Sequence, residues 1–544
     1  MESLSDTIWD VVICGTGLQQ SLLALALSRS NKNILHIDPN QYYGGSEAAL
    51  SLAEADAWAA ARPKASATRS TDEVGPKLAP LSAYSVALSP QFLHARSALV
   101  DLLVSSRAFR QLEFLAVSSF FVLESSSSTS PASIVRIPAT REDVFANTAM
   151  PVRAKRQLMK FLKFVLAYDG GEKGEEGAEK EPNDDSSWRA HASEPLGAFL
   201  QSDFGLDDRL RDNVLALTLS LDGASVTVAE GLARLHRHIT SMGLFGPGFA
   251  AVYPKWGGCG EIVQVACRAA AVGGSIYMLG SGINSMKTVP SEGGDGEAEQ
   301  DKLLELDLTR DVTIKTKLLV RGSDDIVDPS PEAVAEPPVT NKEEEQQQHL
   351  SRLVAIVGTP LPFLFAPTVE GAPVAGGAVI ALPAGRPVLA DGAVPEHPIF
   401  VMAHSSDTGE CPVGQSVLNF TTVRTERSKA ILESALTTLL TAFEHESNSS
   451  NTDEPSPIPC LYLLYYEQPR GSAASAPLEE PAHESPDSAV FRFPPLPVDL
   501  MVQDTHLSVV QDAWKRVMGA EADDTAYMAF EDREGNAADD IDYD

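Results

Sequence analysis

The chain has 544 residues and a formal net charge of −33, from 75 acidic and 42 basic side chains. This length exceeds what one hydrophobic core normally holds, so we expect two or more lobes. The acidic excess argues against direct nucleic-acid binding, which needs a basic footprint, and against adsorption to an anionic membrane. Solubility and acidic disordered inserts are sufficient to explain the charge.

Five cysteines are scattered along the chain without a C-x-x-C spacing. They indicate neither a metal site nor a disulfide framework, and they suit a reducing cytosol. The first residues include Glu2 and Asp6 but no basic region, so we expect no signal peptide. No apolar stretch is long enough to span a bilayer, and the final residues DDIDYD offer no cysteine for a lipid. We therefore expect a cytoplasmic protein that holds no metal.

The first predicted elements form a strand–turn–helix–strand unit. Residues 8–15 are an apolar strand, LQQSLLALALSRS has the length and leucine spacing of a helix, and NILHID is a second strand that ends in Asp38. In a dinucleotide-binding βαβ unit, three glycines permit the turn, the approach of pyrophosphate and helix packing, and the acidic residue binds ribose. Gly15 and Gly17 are present, but Gln20 takes the third place, where it should crowd the contact of helix and strand. The motif alone leaves a flavin or nicotinamide open.

The next elements change from strands to helices. Residues 90–123 predict a helix followed by the strand SSFFVLE, and residues 133–139 predict the partner of that strand. Apolar residues then recur at helical spacing in MPVRAKRQLMKFLKFVLAY and in AEGLARLHRHITSMG, where Gly243 is a stop signal. We therefore predict a large α/β domain that begins in residues 1–140 and a helical domain in residues 141–248.

The second half of the chain alternates structured and polar segments. CGEIVQVACRAAAVGGSIYMLG predicts a helix, a glycine break and a strand within residues 249–286. Residues 287–349 are acidic and proline-rich in places, and we interpret them as an acidic insert. Residues 350–520 continue the large domain as a second α/β stretch that includes CLYLLYYEQ, with a Ser/Pro/Glu-rich linker at 446–487. Residues 521–544 are predicted to be an acidic, mobile tail.

The segment DPNQYYGG follows the predicted ribose position directly. Tyr42 and Tyr43 could be half-buried at a turn whose backbone freedom comes from the two glycines. Alternatively, a rigid turn could hold an exposed tyrosine as an anchor for another protein.

At this point the sequence resembles the family of Rab escort proteins and Rab GDP-dissociation inhibitors. The likeness is strong in ICGTGLQQSLLALALS and HIDPNQYYGG, and it recurs in IPATREDVFANTAMPVRAKRQLMKFLKFVLAY and WGGCGEIVQVACRAAAVGGSIYML. Blocks this long, in this order, are far more specific than a glycine turn. The resemblance implies a flavoprotein-like large α/β domain with a Rossmann-type βαβ unit, a smaller all-helical domain, and no cofactor. On this interpretation the βαβ unit is inherited architecture reused as a platform for a protein.

The resemblance also implies a Rab-binding platform made of Tyr43, Glu261, Arg268 and Met278. Glu261 and Arg268 are two helical turns apart, so they share a face. They lie about 10 Å apart along the axis, too far to pair with each other, so each could serve a partner. Glu261 is in the first turn, where the helix dipole tolerates an anion. For either residue alone, a solvated helix face would be the default explanation.

The helical stretch corresponds to the part of the family fold that receives the prenylated Rab tail. A geranylgeranyl chain exposes about twenty carbons, each worth up to ~0.8 kcal/mol when removed from water. A carrier must therefore open an apolar cleft between helices. Phe161, Leu162, Val165 and Leu166 supply apolar surface there, but core packing explains them equally well.

Two branches of the family fit the sequence. Both bind GDP-bound Rab GTPases, but only escort proteins present them to the Rab geranylgeranyltransferase heterodimer; inhibitors extract and recycle prenylated Rab. The block PVRAKRQLMKFLKFVLAY, the long inserts and the LYLLYYEQPR segment favour an escort protein. The resemblance thus implies a non-catalytic accessory protein that shields the lipid-bearing product and delivers it by transient membrane contact.

One departure from the family pattern concerns the transferase. The aromatic residue through which escort proteins contact it corresponds to His238, in the segment HRHIT. A histidine in such a segment is more often an exposed helix residue than an anchor. The transferase contact is therefore less firmly implied than the Rab platform.

Two other classes of function compete with this interpretation. A flavin-dependent oxidoreductase would need a second cofactor motif near the C-terminus, and none is convincing; Gln20 also disfavours it. An unrelated acidic scaffold would show no preference for the nucleotide state of a Rab partner. The sequence offers no Ser/His/Asp arrangement, metal cluster or phosphate loop for other catalysis.

Overall fold

A computed structural model describes most of the chain. The residues described are 2–71, 75–124, 132–138, 141–146, 148, 150–168, 186–290, 302–322, 349–448, 457–471 and 489–531. They form two large β-sheets, a two-stranded ribbon of Ala49–Leu50 and Val86–Ala87, and a group of helices. Within this part of the chain, no helix is both long enough and apolar enough to cross a membrane.

The seven-stranded sheet contains the predicted βαβ unit, which is confirmed. Strands Ile8–Cys14 and Ile34–Asp38 are parallel neighbours joined by the helix Leu18–Leu27, all of whose residues are buried. A helix that is apolar nearly all round is stable only inside a protein, and this one is covered on its outer side. From edge to edge the strands are Ile276–Leu279, Ile34–Asp38, Ile8–Cys14, Val312–Arg321, Lys302–Leu308 and Ile283–Pro290, with Val490–Arg492 beside Val312–Arg321.

The second sheet has ten strands and is mostly antiparallel. Ser133–Arg136 pairs with Phe114–Glu124, as the sequence predicts. The long helix Ser428–Asn448 covers one face through Leu432, Leu439 and Phe443. From edge to edge the strands are Ser66–Arg69, Cys460–Pro469, His349–Val357, Ser416–Val423, Ile399–Ser405, Gly377–Leu382, Phe114–Glu124, Ala251–Pro254 and Leu93–His94, with Ser133–Arg136 beside Phe114–Glu124.

The described residues between 141 and 241 are mostly helical, in line with the implied fold class. From Val152 onward the helices share one apolar core. Two of them begin at side-chain caps: Asp207 accepts the N–H of Leu210, and Thr227 that of Glu230. Such caps satisfy N–H groups that a helix leaves unpaired. The helices are Arg141–Ala146, Val152–Leu166, Leu196–Ser202, Asp208–Thr218 and Val228–Ser241.

The other helices belong to the α/β part of the molecule. Leu18–Leu27, Cys259–Val272 and Leu507–Met518 share a core on one face of the seven-stranded sheet. This packing places the start of Cys259–Val272 beside the glycine turn. The remaining helices are Glu2–Ser5, Leu52–Ala60 and Ala98–Ser105.

The predicted acidic insert at residues 287–349 is wrong for much of its length. Strand Ile283–Pro290 runs into it, and Lys302–Leu308 and Val312–Arg321 lie inside the seven-stranded sheet. The segments KLLELDL and VTIKTKLLV alternate apolar and polar residues, the strand period, which net acidity hid. Residues 291–301 and 323–348 lie outside the described residues.

The linker and tail also need correction. The segment CLYLLYYEQ, which the sequence places in the α/β stretch, is the strand Cys460–Pro469 and pairs between two other strands. The bounds 446–487 predicted for the linker around it are therefore wrong. The first part of the predicted tail is packed rather than mobile: Met528 is fully buried and Tyr527 packs against Trp514. The rest of the tail, 532–544, lies outside the described residues.

Candidate functional site

The glycine turn is filled by side chains of the protein itself. Gly15 has the positive φ of +88° that the turn requires. A Cβ atom on Gly17 would lie 2.9 Å from Gln20 Oε1 and 3.4 Å from Glu47 Oε2. Glu47 is buried, and its Oε2 accepts the N–H of Leu18 at 3.0 Å. The crowding expected from Gln20 thus falls on the turn rather than on the helix–strand contact, because its amide folds back over both glycines.

Asp38, at the ribose position, is engaged in internal hydrogen bonds. Its Oδ2 accepts the backbone N–H and the hydroxyl of Thr16 at 2.7 and 2.6 Å, and its Oδ1 accepts two N–H groups of Asn40. Burial raises the pKa of Asp38, although these bonds oppose the rise. With the ribose acid used internally and the phosphate position covered, the residues present do not fit a flavin or nicotinamide dinucleotide.

The loop after Asp38 holds the two tyrosines in different environments. Tyr42 packs towards the core around Leu50 and Tyr466, whereas half-buried Tyr43 packs on the face of the seven-stranded sheet that carries the helices. The Tyr43 ring meets Tyr277 edge to face at 6.1 Å between centroids. Both alternatives weighed for the pair therefore apply: Tyr42 is packing, and Tyr43 is a partly exposed aromatic on a braced turn.

Helix Cys259–Val272 carries the predicted charged residues beside this loop. Glu261 is in the first turn and half-buried, and Arg268 is exposed. Burial raises the pKa of Glu261, and Arg268 partly offsets that rise. The helix starts close to the loop: a Cβ atom on Gly260 would lie 2.8 Å from the carbonyl oxygen of Glu47.

Met278 lies near these residues, but its side chain packs on the opposite face of the seven-stranded sheet. It is on the edge strand Ile276–Leu279, opposite Ile37, and packs with Trp9 and Val12. Tyr277, its neighbour, packs on the other face with Tyr43. The structure therefore brings Tyr43, Glu261 and Arg268 to one face of the sheet and places Met278 at its edge.

Tyr277 and Glu47 are the residues that sequence reasoning missed. The two-residue period of SIYML signals that Tyr277 and Met278 face opposite ways. Nothing in the spacing of Glu47, 29 residues after Leu18, signals that it caps that helix.

Arg268 also lines a basic cavity of about 390 Å³. The cavity lies where the helices Leu18–Leu27 and Cys259–Val272 meet the segment around residue 530. Its arginines are Arg29, Arg107, Arg110 and Arg268. A basic cavity is notable in a chain whose net charge is −33.

A second, larger cavity lies in the helical region. This groove, of about 790 Å³, is bounded by helices Val152–Leu166, Asp208–Thr218 and Val228–Ser241. Of the apolar residues considered above, Phe161, Leu162 and Leu166 line it, whereas Val165 is fully buried in the helical core. Its other apolar lining residues are Phe120, Ile137, Pro138, Val144, Leu158, Met159, Val214, Leu217, Leu235, Ile239 and Met242.

His238 lies against this groove and is not exposed as expected for its segment. Only 4% of the residue is accessible. Its Nδ1 lies 3.3 Å from His94 Nε2, and its ring meets Phe120 edge to face. Burial lowers the pKa of His238 to about 4. Since the helix turns this side chain inward, it offers almost no outer surface to a docking transferase.

The sequence matches the family model described as GDI, GDP dissociation inhibitor, over residues 5–298. It is 33% identical over 278 residues to Rab proteins geranylgeranyltransferase component A of Saccharomyces cerevisiae, covering 50% of this chain and 43% of that one. The Candida albicans protein of the same name is 28% identical over 81% of this chain and 63% of its own. Rab GDP dissociation inhibitor beta of Rattus norvegicus is 27% identical, and the match covers 51% of this chain and 57% of that one. The matches thus span between 43% and 63% of the length of these curated relatives.

Solved structures agree on the fold. Rab GDI from Plasmodium falciparum superposes with a TM-score of 0.59 at 17% identity, covering 95% of this chain and 99% of that one. An oxidoreductase from Methanosarcina mazei superposes with a TM-score of 0.55 at 14% identity, covering 93% of this chain and 99% of that one. These likenesses concern the fold alone and confirm the flavoprotein-like architecture. Because the family model covers more than half of the sequence, the chain belongs to the GDP dissociation inhibitor family.

Proposed function

We propose that this protein is a non-catalytic escort for Rab GTPases. It binds the GDP-bound GTPase, presents it to the Rab geranylgeranyltransferase heterodimer, and shields the attached lipid until the product reaches a membrane. Family membership and the names of the Saccharomyces and Candida relatives support this role. The observation that carries it is the presence of two features in one chain. One is the face that holds Tyr43, Glu261 and Arg268, and the other is a separate apolar groove of about 790 Å³.

The GTPase binds across the face that holds Tyr43, Glu261 and Arg268, with Met278 contacting it at the sheet edge. Aromatic and arginine side chains are the usual anchors of protein interfaces. Glu261 and Arg268 present opposite charges from one helix, so the partner must offer the complementary pattern.

The groove takes the geranylgeranyl chain. Burying about twenty carbons gives a gross gain on the order of 16 kcal/mol, which no exposed surface could supply. Leu162 and Leu166 lie towards its accessible side, so the lipid enters past them.

The protein has no active site of its own on this proposal. Gln20 and Glu47 cover the phosphate position, which supports an accessory role rather than flavin chemistry. The protein works in the cytoplasm and touches membranes transiently when it delivers its cargo.

The deciding experiment reconstitutes prenylation from purified Rab–GDP, geranylgeranyl diphosphate and the transferase heterodimer. We expect lipid transfer only when this protein is added. Transfer that proceeds equally well without it would contradict the escort role.

A recycling inhibitor is the second candidate, supported by the likeness to Rab GDP dissociation inhibitor beta. It would give no stimulation of transfer, but would extract already prenylated Rab–GDP from vesicles. Failure of both assays would reject the proposal in either form.

A further inference from the structure

Glu47 connects three parts of the platform. Its buried carboxylate accepts the N–H of Leu18, the first residue of helix Leu18–Leu27. Its own backbone carbonyl packs against Gly260, in the first turn of helix Cys259–Val272. The short segment Gly44–Glu47 is therefore held between the starts of two helices, immediately after Tyr43.

The start of helix Leu18–Leu27 lacks an anion of its own. None of the described residues in its first turn is acidic, and its N-cap, Gly17, has no side chain to offer. In a dinucleotide-binding protein the pyrophosphate fills this position, because helix-start N–H groups and the helix dipole favour negative charge. Here the carboxylate of Glu47 occupies it, and the amide of Gln20 covers the glycines beside it.

Neighbouring groups respond to this carboxylate. Burial raises the pKa of the Cys259 thiol, and the Glu47 carboxylate adds to that rise. Burial lowers the pKa of Arg352, and Glu47 is one of the groups that oppose the fall.

The loop that carries Tyr43 is tied on both sides. Before Gly44 the tie runs through Thr16, whose hydroxyl donates to Asp38 and accepts the N–H of Gly44 at 3.0 Å. After it, Glu47 supplies the tie to Leu18. The carbonyls of Asn40 and Ser46 accept further hydrogen bonds from Gly280 N–H and Ser89 Oγ. Loss of Glu47 therefore removes the tie between the loop and the helix start, and the N–H of Leu18 loses its partner.

We propose that Glu47 and Gln20 are the built-in replacement for a bound pyrophosphate, and that Glu47 is a positioning residue that fixes Tyr43 for its protein partner. The second part rests on the proposed Rab-binding function; the first does not. The old cofactor turn thus still orders the platform, with a side chain in place of a ligand.

The test compares the wild type with Glu47→Ala and with the double variant Gln20→Gly/Glu47→Ala. Sodium pyrophosphate is the probe, and its binding is followed by calorimetry and by the shift in Tm. We expect no binding by the wild type and millimolar or tighter binding by the double variant. Amide hydrogen exchange over residues 40–47 should be at least tenfold faster in Glu47→Ala and slow again when the double variant holds pyrophosphate.

Two further variants keep the inference falsifiable. Glu47→Gln keeps the size and an acceptor oxygen, so it should fold and retain most of the protection of this loop. Glu54→Ala removes a helix-start carboxylate on an exposed helix and should create no pyrophosphate site. Pyrophosphate binding by the wild type would overturn the inference. So would a folded double variant with unchanged loop exchange and no gain in pyrophosphate binding. Where the alanine variants do not fold, a Glu47→Gln protein whose loop has lost its protection would overturn it as well.

Rab–GDP affinity is measured separately on the same proteins. We expect Glu47→Ala to bind at least tenfold more weakly than the wild type, and the double variant to recover affinity in pyrophosphate. Unchanged affinity in a variant with faster loop exchange would refute the positioning role. A wild type that binds no Rab would instead refute the proposed function, while the pyrophosphate and exchange results stand by themselves.

Discussion

Arg268 is the residue at which the platform can be tested most cleanly. It is exposed on helix Cys259–Val272, so its removal should change the free energy of unfolding by less than about 0.5 kcal/mol. We expect Arg268→Ala to weaken Rab–GDP binding about tenfold, equivalent to about 1.4 kcal/mol, measured by calorimetry. Arg492→Ala, at an exposed position of strand Val490–Arg492, is the matched control and should bind normally. Equal affinities of the two variants would argue against the platform assignment.

His238 makes stability depend on pH in a predictable direction. Burial lowers its pKa to about 4, and burial with the neighbouring charges of His238, Arg237 and Arg234 lowers that of His94 as well. Between about pH 6.5 and pH 4 the unfolded chain therefore binds protons that the folded chain does not, so stability falls as pH falls through this window. At pH 5, His238 costs about 2 kcal/mol relative to pH 7.5.

Replacement of His238 by a group that does not titrate should remove its share of this effect. We expect urea unfolding of His238→Gln to lose about 2 kcal/mol less stability than the wild type between pH 7.5 and pH 5. His191, partly exposed and paired with Glu194, is the control position, and His191→Gln should leave the large acid-side loss in place. An unchanged pH slope in His238→Gln would show that the ring is protonated in the folded state.

Single residues also mark where sequence reasoning ends. Gln20 could be recognised as a misfit because the glycine fingerprint fixes what belongs at that position. Glu47 could not, because its role depends on how a loop folds back on a helix start. His238 was misplaced for a related reason: its segment is polar, but the helix turns this side chain towards His94 and Phe120 on the sheet.

At the scale of elements, periodicity was the reliable guide and composition was not. The βαβ unit and helices such as Val228–Ser241 follow from spacing that only one secondary structure satisfies. Lys302–Leu308 and Val312–Arg321 alternate apolar and polar residues just as clearly, yet they lie in a stretch whose acidity predicts an insert. Pairing in a sheet depends on distant strands, so neither their central place nor the strand order could be derived from local pattern.

The groove between helices yields a prediction about lipid binding. Leu162 is half-buried on its wall, so Leu162→Glu would place a charge against the apolar lipid, at a cost of several kcal/mol if it stayed buried. We expect at least a tenfold loss of affinity for a fluorescent geranylgeranyl-cysteine peptide, with an unchanged circular dichroism spectrum. Val152→Glu, on the same helix but 65% exposed and outside the groove, should bind the peptide normally. Equal binding by both variants would place the lipid elsewhere.

At the scale of the whole molecule, buried ions join the helical region to the α/β part. Asp499 is fully buried and pairs with Arg234 of helix Val228–Ser241 at 3.1 Å and with Arg470 at 3.4 Å. Arg470 also reaches Asp222, between two helices of the helical region. This ionic junction holds the groove at a fixed place relative to the platform, so that one partner could occupy both.

Loss of Asp499 should therefore disturb the junction more than the loss of an ordinary surface ion pair. Asp499→Ala leaves the nearly buried guanidinium of Arg234 with only Glu230 and takes a partner from Arg470, so we expect a loss of about 3–5 kcal/mol in urea unfolding. Asp208→Ala removes the exposed carboxylate that pairs with Arg211 and Arg386, and should cost less than about 1 kcal/mol. If the two variants unfold at the same urea concentration, packing rather than ion pairing holds the helical region in place.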